Sequence, residues 1–212
     1  MKKDLTEIIF ILDRSGSMNG LEKDTIGGYN VFLDTQRQTS GEAQVTTVLF
    51  DDKYEILHNG IDIKYVKPIG KKEYFARGST ALLDAVGKTI NDVGARLKET
   101  DESERSEKII FVIITDGMEN CSREFTYKQI NKMITHQQEK YNWEFLFLGA
   151  NINATKEAAN LGIPINRSAN YIASAVGTQA LFGAVAQSVM CYRESGKIDD
   201  DWCKDIEKSG RK

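Results

Sequence analysis

Asp13, Ser15 and Ser17 alternate along Asp13-Arg14-Ser15-Gly16-Ser17-Met18, directly after an apolar run at residues 8–12. A carboxylate and two hydroxyls so spaced form an all-oxygen donor set suited to a hard divalent cation, and no thiol or imidazole stands nearby to favour a softer one. Two distant segments carry related chemistry. Arg77-Gly78-Ser79-Thr80-Ala81 is a glycine–hydroxyl loop, and Thr115-Asp116-Gly117 closes a second apolar run, residues 108–115, in an acid. Each segment has a plainer reading: Ser79 and Thr80 as helix caps, Asp13 and Asp116 as turn residues. Turn preference accounts for the acids and leaves the matched hydroxyls unexplained.

The elements around these segments alternate between strand and helix. Strands are expected at residues 7–12, 43–50, 53–58, 108–115 and 143–148, with an edge strand within 165–172. Helices are expected at 21–38, 81–97, 125–140, 153–161 and 173–194, the second marked by Val86, Ile90, Val93 and Leu97 on one face. Gly27-Gly28 within the first helix lowers helix propensity and permits close packing. Asp51-Asp52 reads as the turn of a hairpin, which makes residues 53–58 an antiparallel edge strand. Residues 61–73 read mostly as loop because of Pro68 and Gly70, and the charged stretch 98–108 as a solvated connection.

Strands that are apolar without alternation belong to a parallel sheet covered on both faces. The expected fold is therefore α/β and doubly wound, with a mostly parallel central sheet, one antiparallel edge strand and helices on both sides. In such sheets ligands sit beyond the carboxyl ends of the strands, where the winding reverses. The strands ending at Asp13 and Thr115 are the natural neighbours there. Residues 1–194 read as one domain and 195–212 as a polar tail, whose Trp202 is a candidate to dock back on the body.

Taken together, the three segments resemble the von Willebrand factor A domain and its metal-ion-dependent adhesion site: an Asp-x-Ser-x-Ser loop, a threonine and a later aspartate. The matching positions are Asp13, Ser15, Ser17, Thr80 and Asp116, in the family's order and each at the end of the right kind of element. The order of elements agrees from the first strand to about Glu194. The resemblance implies magnesium or manganese bound directly by Ser15, Ser17 and, depending on state, Thr80, with Asp13 and Asp116 acting through coordinated waters. It implies a protein partner whose Asp or Glu fills the remaining position on an ion left electrophilic by neutral ligands. It implies no catalytic residue. The stand-alone form of the resemblance points to an intracellular assembly or regulatory role rather than extracellular adhesion.

Composition agrees with a binding module of this kind. In 212 residues, 41% are hydrophobic, enough for a full core, and 28 basic against 31 acidic side chains leave a net charge of -3. Such a balance offers no global attraction for nucleic acid or anionic lipid. Cys121, Cys191 and Cys203 form neither a disulfide framework nor a CxxC pair, and no segment reaches membrane-spanning length, so a soluble cytoplasmic protein is expected. The short apolar run after Met1-Lys2-Lys3 ends at Asp13 and does not read as a signal sequence.

An enzymatic alternative resembles the haloacid dehalogenase phosphotransferases, with Asp13 as nucleophile and Thr115 as a second-motif hydroxyl. The acid expected two residues after the nucleophile is Ser15 here, which leaves proton delivery without a donor. Nucleotide binding lacks both GxGxxG after the first strand and GxxxxGK[ST] anywhere. A further reading keeps the fold with a metal used for structure alone. His58 and His136 stand far in sequence from the site segments and have no paired nucleophile. Cys121, just beyond the Asp116 loop, reads as a small half-buried residue.

Overall fold

Residues 8–12 and 109–114 present only aliphatic and aromatic side chains, so a strand made from either has to be covered on both faces. The computed structural model describes residues 1–209 and sets these runs side by side at the centre of a sheet. The strands are β1 (Lys2–Asp13), β2 (Glu42–Phe50), β3 (Tyr54–Asp62), β4 (Ser106–Thr115), β5 (Glu144–Gly149) and β6 (Ser168–Asn170), in the order β3-β2-β1-β4-β5-β6. All neighbours are parallel except β2 and β3. The sheet is the expected one, mostly parallel with a single antiparallel edge strand.

Helices α1 (Glu22–Gln38), α5 (Ala175–Ser195) and α6 (Lys204–Ser209) cover one face; α2 (Leu82–Glu99), α3 (Tyr127–Tyr141) and α4 (Ala154–Leu161) cover the other. Alternation along β1 divides the core: Ile8, Phe10 and Leu12 pack with Tyr29, Phe32 and Leu181, while Ile9 and Ile11 pack with Leu82, Val86 and Ile130. The chain winds from β1 outward to β2 and β3, then crosses to β4 and continues to β6. The reversal lies between β1 and β4, which places the loops after Asp13 and Thr115 at the crevice.

Element ends differ from the sequence reading where backbone pairing outruns hydrophobicity. β1 begins at Lys2 because its N-terminal residues pair with β4 across an irregularity in register, and the Lys2 amide donates to the Arg105 carbonyl at 2.8 Å. The stretch read as a connection at 98–108 therefore yields the start of β4. β3 runs on to Asp62, its ladder with β2 interrupted by two shifts of register near Thr47. Neither extension carries an apolar pattern that periodicity could detect.

The chain beyond α5 packs on the body. Ile198, Trp202 and Ile206 are buried in the α1–α5 side of the core, and Trp202 Nε1 donates to the Asn166 carbonyl at 2.8 Å. Residues 210–212 of the expected tail lie outside the described residues. No helix among the described residues is long and apolar enough to cross a membrane.

Candidate metal centre

Asp13 is the last residue of β1, and the chain turns at once into a short helical loop over Gly16–Met18. The turn is held by the Asp13 carboxylate itself: Oδ1 accepts from the Ser15 amide at 2.6 Å. Its other oxygen, Oδ2, accepts from Thr115 Oγ1 at 2.6 Å, which ties the ends of β1 and β4 together. Ser15 Oγ and Ser17 Oγ lie 3.0 Å apart, and Ser17 Oγ donates to Asp116 Oδ1 at 2.5 Å. Asp13, Ser15, Ser17 and Asp116 thus form one continuous set of oxygens.

Thr80 joins them from the loop before α2. A Cβ placed on Gly117 would stand 3.2 Å from Ser17 Oγ and 3.2 Å from Thr80 Oγ1. Both hydroxyls therefore converge on one point, and glycine after Asp116 keeps that point clear. The Thr80 backbone is fixed reciprocally by Asn120: its amide donates to Asn120 Oδ1 at 2.9 Å, and its carbonyl accepts from the Asn120 amide at 3.1 Å. All five residues named from the sequence meet at the carboxyl edge of β1 and β4, with Ser17 exposed and the other four buried.

Electrostatics define what this set lacks. Burial pushes the Asp13 carboxyl up to about 6, against the lowering effect of its bonds from Thr115 and Ser15, and the Asp116 charge adds to the rise. Burial likewise raises Asp116, opposed by the Ser17 hydrogen bond. Among the described residues, neither carboxylate pairs with a lysine or arginine. Two adjacent buried carboxylates without a protein cation, ringed by hydroxyl oxygens, fit a small dication. No cluster of three or more His, Cys, Asp or Glu occurs among the described residues, so an ion here relies on the hydroxyls.

The nearby arginines are committed elsewhere. Arg14, buried within the loop after β1, donates from Nε to Asp51 Oδ2 at 2.9 Å and pairs with Glu55 at 2.8 Å. Arg77 reaches the same Asp51 oxygen at 2.7 Å, and its guanidinium lies 5.1 Å from the centroid of the Phe75 ring. Asp51 also accepts from the Lys53 amide at 2.7 Å, the turn contact expected of it, but it is buried and joins the loops carrying Ser15 and Thr80. That joining role is absent from the sequence reading. The signal for it was an arginine in each loop, Arg14 and Arg77, each requiring a carboxylate. Backbone bonds complete the assembly: Gly16 N to Gly78 O at 3.1 Å and Arg77 N to Arg14 O at 2.8 Å.

Glu119 and Asn120, in the loop after β4, belong to this framework. Glu119 accepts from the Leu83 amide at the start of α2 and from the Cys121 and Ser122 amides, and Asp84 accepts from the amides of Arg123, Glu124 and Phe125. The loop after β4 is thereby built onto the N-terminus of α2, where carboxylates are favoured. Met118 next to it is exposed, while Met18 is buried packing. His58 bonds Thr47, and His136 packs edge-on against Tyr141, both away from the centre.

No protein-family model matches the sequence, and no curated protein is detectably similar to it. Solved structures are. Proximal thread matrix protein 1 from the mussel byssus, in a form with a zinc-occupied metal-ion-dependent adhesion site, superposes with a TM-score of 0.60 at 17% identity, over 90% of this chain and 47% of that one. The von Willebrand domain of the type V pilus tip protein Mfa5 from Porphyromonas gingivalis gives 0.65 at 11% identity, over 94% and 99%. Manganese-loaded TRAP protein from Plasmodium vivax gives 0.57 at 14% identity, over 81% and 70%. The chain spans about half the length of the byssus protein. At these identities the likeness is one of fold, and the fold is that of the von Willebrand factor A domain.

Proposed function

We propose that this domain is a metal-dependent protein-binding module, in which Asp13, Ser15, Ser17, Thr80 and Asp116 hold magnesium or manganese and a partner's Asp or Glu completes its coordination. The observation that carries the reading is the convergence of three hydroxyls and two buried carboxylates that no lysine or arginine neutralises among the described residues. Metal occupancy of the corresponding motif in the byssus protein and manganese in the TRAP protein support it by analogy of fold.

A bound dication supplies positive charge and Lewis acidity at the crevice. The chain's own residues do the rest. Ser15, Ser17 and Thr80 offer neutral oxygens, so charge on the ion is only partly cancelled and an acidic side chain from outside is attracted. Asp13 and Asp116 sit deeper and balance charge without filling the exposed side, where Ser17 opens to solvent. Thr115 and Asn120 keep Asp13 and Thr80 in place by hydrogen bonds.

We assign no catalytic residue. Both oxygens of Asp13 are engaged, by Ser15 and Thr115, and Ser15 stands where a phosphotransferase of the alternative class needs an acid. A cytoplasmic setting is part of the proposal, supported by Cys121 and Cys191, which are unpaired.

Calorimetric titration with magnesium and with manganese tests the metal, using Thr80→Ala as comparison. Saturable binding to the wild type that weakens at least tenfold in the variant is the expected result; no heat from either ion refutes the reading. Partner capture with magnesium that is abolished by chelator and by Thr80→Ala tests the interface. A domain that loses only stability on chelation holds its metal for structure alone.

A further inference from the structure

Beneath the metal centre, on the face covered by α1 and α5, several hydroxyls are buried together. Tyr74 Oη donates to the Asp13 carbonyl at 2.5 Å. Tyr171 after β6 and Thr178 on α5 each bury a hydroxyl that finds no hydrogen-bond partner among the described residues, and the Thr25 hydroxyl on α1 is buried against Tyr74. Asp116 has the complementary deficit: Oδ1 faces Ser17, whereas Oδ2 is sealed from solvent and accepts nothing.

These groups share one place. β4, β5 and β6 end in register at Thr115, Gly149 and Asn170, so Asp116 and Tyr171 leave the same edge of the sheet, and Tyr171 and Tyr74 are buried in one cluster with α1 and α5. Burial, and then the charges of Asp116 and Asp13, raise the Tyr171 phenol well above its ordinary value. The Tyr74 phenol feels Asp13, Tyr171 and Asp116, and the Thr25 hydroxyl stands beside it. α1 and α5 both return from the carboxyl edge of parallel strands, and so run in the same direction. Gly28 abuts the Phe182 ring; Thr25 lies one turn above Gly28 and Thr178 one turn above Phe182. The two threonines are therefore level, at the end of the helix pair nearest the metal loops.

A buried acceptor and buried hydroxyls on the same side of the sheet, with no bond from Tyr171 or Thr178 to Asp116 Oδ2, are costly unless something small joins them. Water does so wherever two to four polar partners surround it. We propose that Thr25, Tyr74, Tyr171 and Thr178 enclose internal water beneath the centre, and that this water bonds Asp116 Oδ2 and holds the carboxylate in the orientation an ion requires. Tyr171 and Thr178 are positioning residues that act through water. The inference rests on the metal-binding reading above and adds to it the groups that set affinity from below.

The test uses Tyr171→Phe and Thr178→Val, with Thr178→Ser as a hydroxyl-retaining control. Magnetic relaxation dispersion of water, measured on metal-free protein, reports long-lived internal molecules. Their contribution should fall in Tyr171→Phe and Thr178→Val and persist in Thr178→Ser. Magnesium titration of the same proteins should show affinity about tenfold weaker in the first two at unchanged stoichiometry, the scale at which groups orienting metal ligands act. A purely structural role would lower the folded fraction and the stoichiometry instead, and would overturn the proposal. So would unchanged dispersion, or equal affinity in a wild type that binds magnesium. A wild type that takes neither magnesium nor manganese refutes the metal-binding reading directly, and the positioning role with it.

Discussion

Arg14 and Asp51 meet at 2.9 Å, Nε to Oδ2, with side-chain exposures of 1% and 0%. Arg14 belongs to the loop that presents Ser15 and Ser17; Asp51 directly follows the neighbouring strand β2 and also holds Arg77, three residues before Thr80. One carboxylate thus sets the spacing between two of the three segments that form the centre.

Removing that carboxylate leaves the buried Arg14 guanidinium with its buried partner gone and the exposed Glu55 still paired to it. Asp51→Ala should cost about 3–5 kcal/mol, the penalty for breaking a buried pair from one side. Thermal unfolding should show a midpoint roughly 10 °C lower for a chain of this size. Magnesium affinity should fall as well, since the loops of Ser15 and Thr80 lose their common anchor.

The same pair makes a prediction about acid. Burial alone would raise the Asp51 carboxyl, but the bonds from Arg77 and the Lys53 amide and the charges of Arg14 and Arg77 hold it below the usual carboxylate value. The unfolded chain therefore takes up this proton first as pH falls, and stability falls with it. The contribution is intact well above the unfolded carboxyl's value of about 4 and is lost progressively below it, until the folded carboxyl, held lower, protonates as well. Urea midpoints of the wild type should exceed those of Asp51→Asn at neutral pH, and the gap should close in acid. A gap that is constant with pH would contradict the charge assignment.

Gly117 should be intolerant of a side chain for reasons of chemistry rather than folding. Its backbone is not left-handed, but a Cβ would press on Ser17 Oγ and Thr80 Oγ1 alike. Gly117→Ala is expected to weaken magnesium binding roughly tenfold, as disturbance of ligand orientation does. The unfolding midpoint of the metal-free protein should scarcely move.

The adjacent glycines of α1 should respond in opposite directions. A Cβ on Gly27 meets nothing within 4 Å, so Gly27→Ala should stabilise by about 0.4–1 kcal/mol through the unfolded chain. A Cβ on Gly28 would lie 2.2 Å from Phe182 Cδ2, and Phe182 is buried. Gly28→Ala should therefore cost about 1–3 kcal/mol. Chemical denaturation of both variants decides the matter, and equal effects would contradict the α1–α5 packing described.

Much of the architecture was legible because the physics that makes it is local. Residues 8–12 and 108–115 declare buried strands by apolar continuity, and Val86, Ile90 and Val93 declare the buried face of α2 by their period. The polar N-terminal half of β1 and the extension of β3 to Asp62 were not legible, since ladder hydrogen bonds between backbones leave no mark in side-chain pattern. Trp202 advertised a docking surface, whereas α6 beside it was concealed by its charged residues.

By itself, the sequence named the candidate donors and the elements that end in them: Asp13, Ser15, Ser17, Thr80 and Asp116, each placed where a strand stops or a helix begins. Only the tertiary structure decided which supporting groups surround them. Asp51 became a buried anchor, Asn120 a clasp on Thr80, and Tyr74 a donor to the Asp13 carbonyl. Strand identity follows from nearest neighbours along the chain, but these partners are chosen by packing between distant segments, 37 positions apart for Arg14 and Asp51 and 40 for Thr80 and Asn120, and no local pattern encodes that choice.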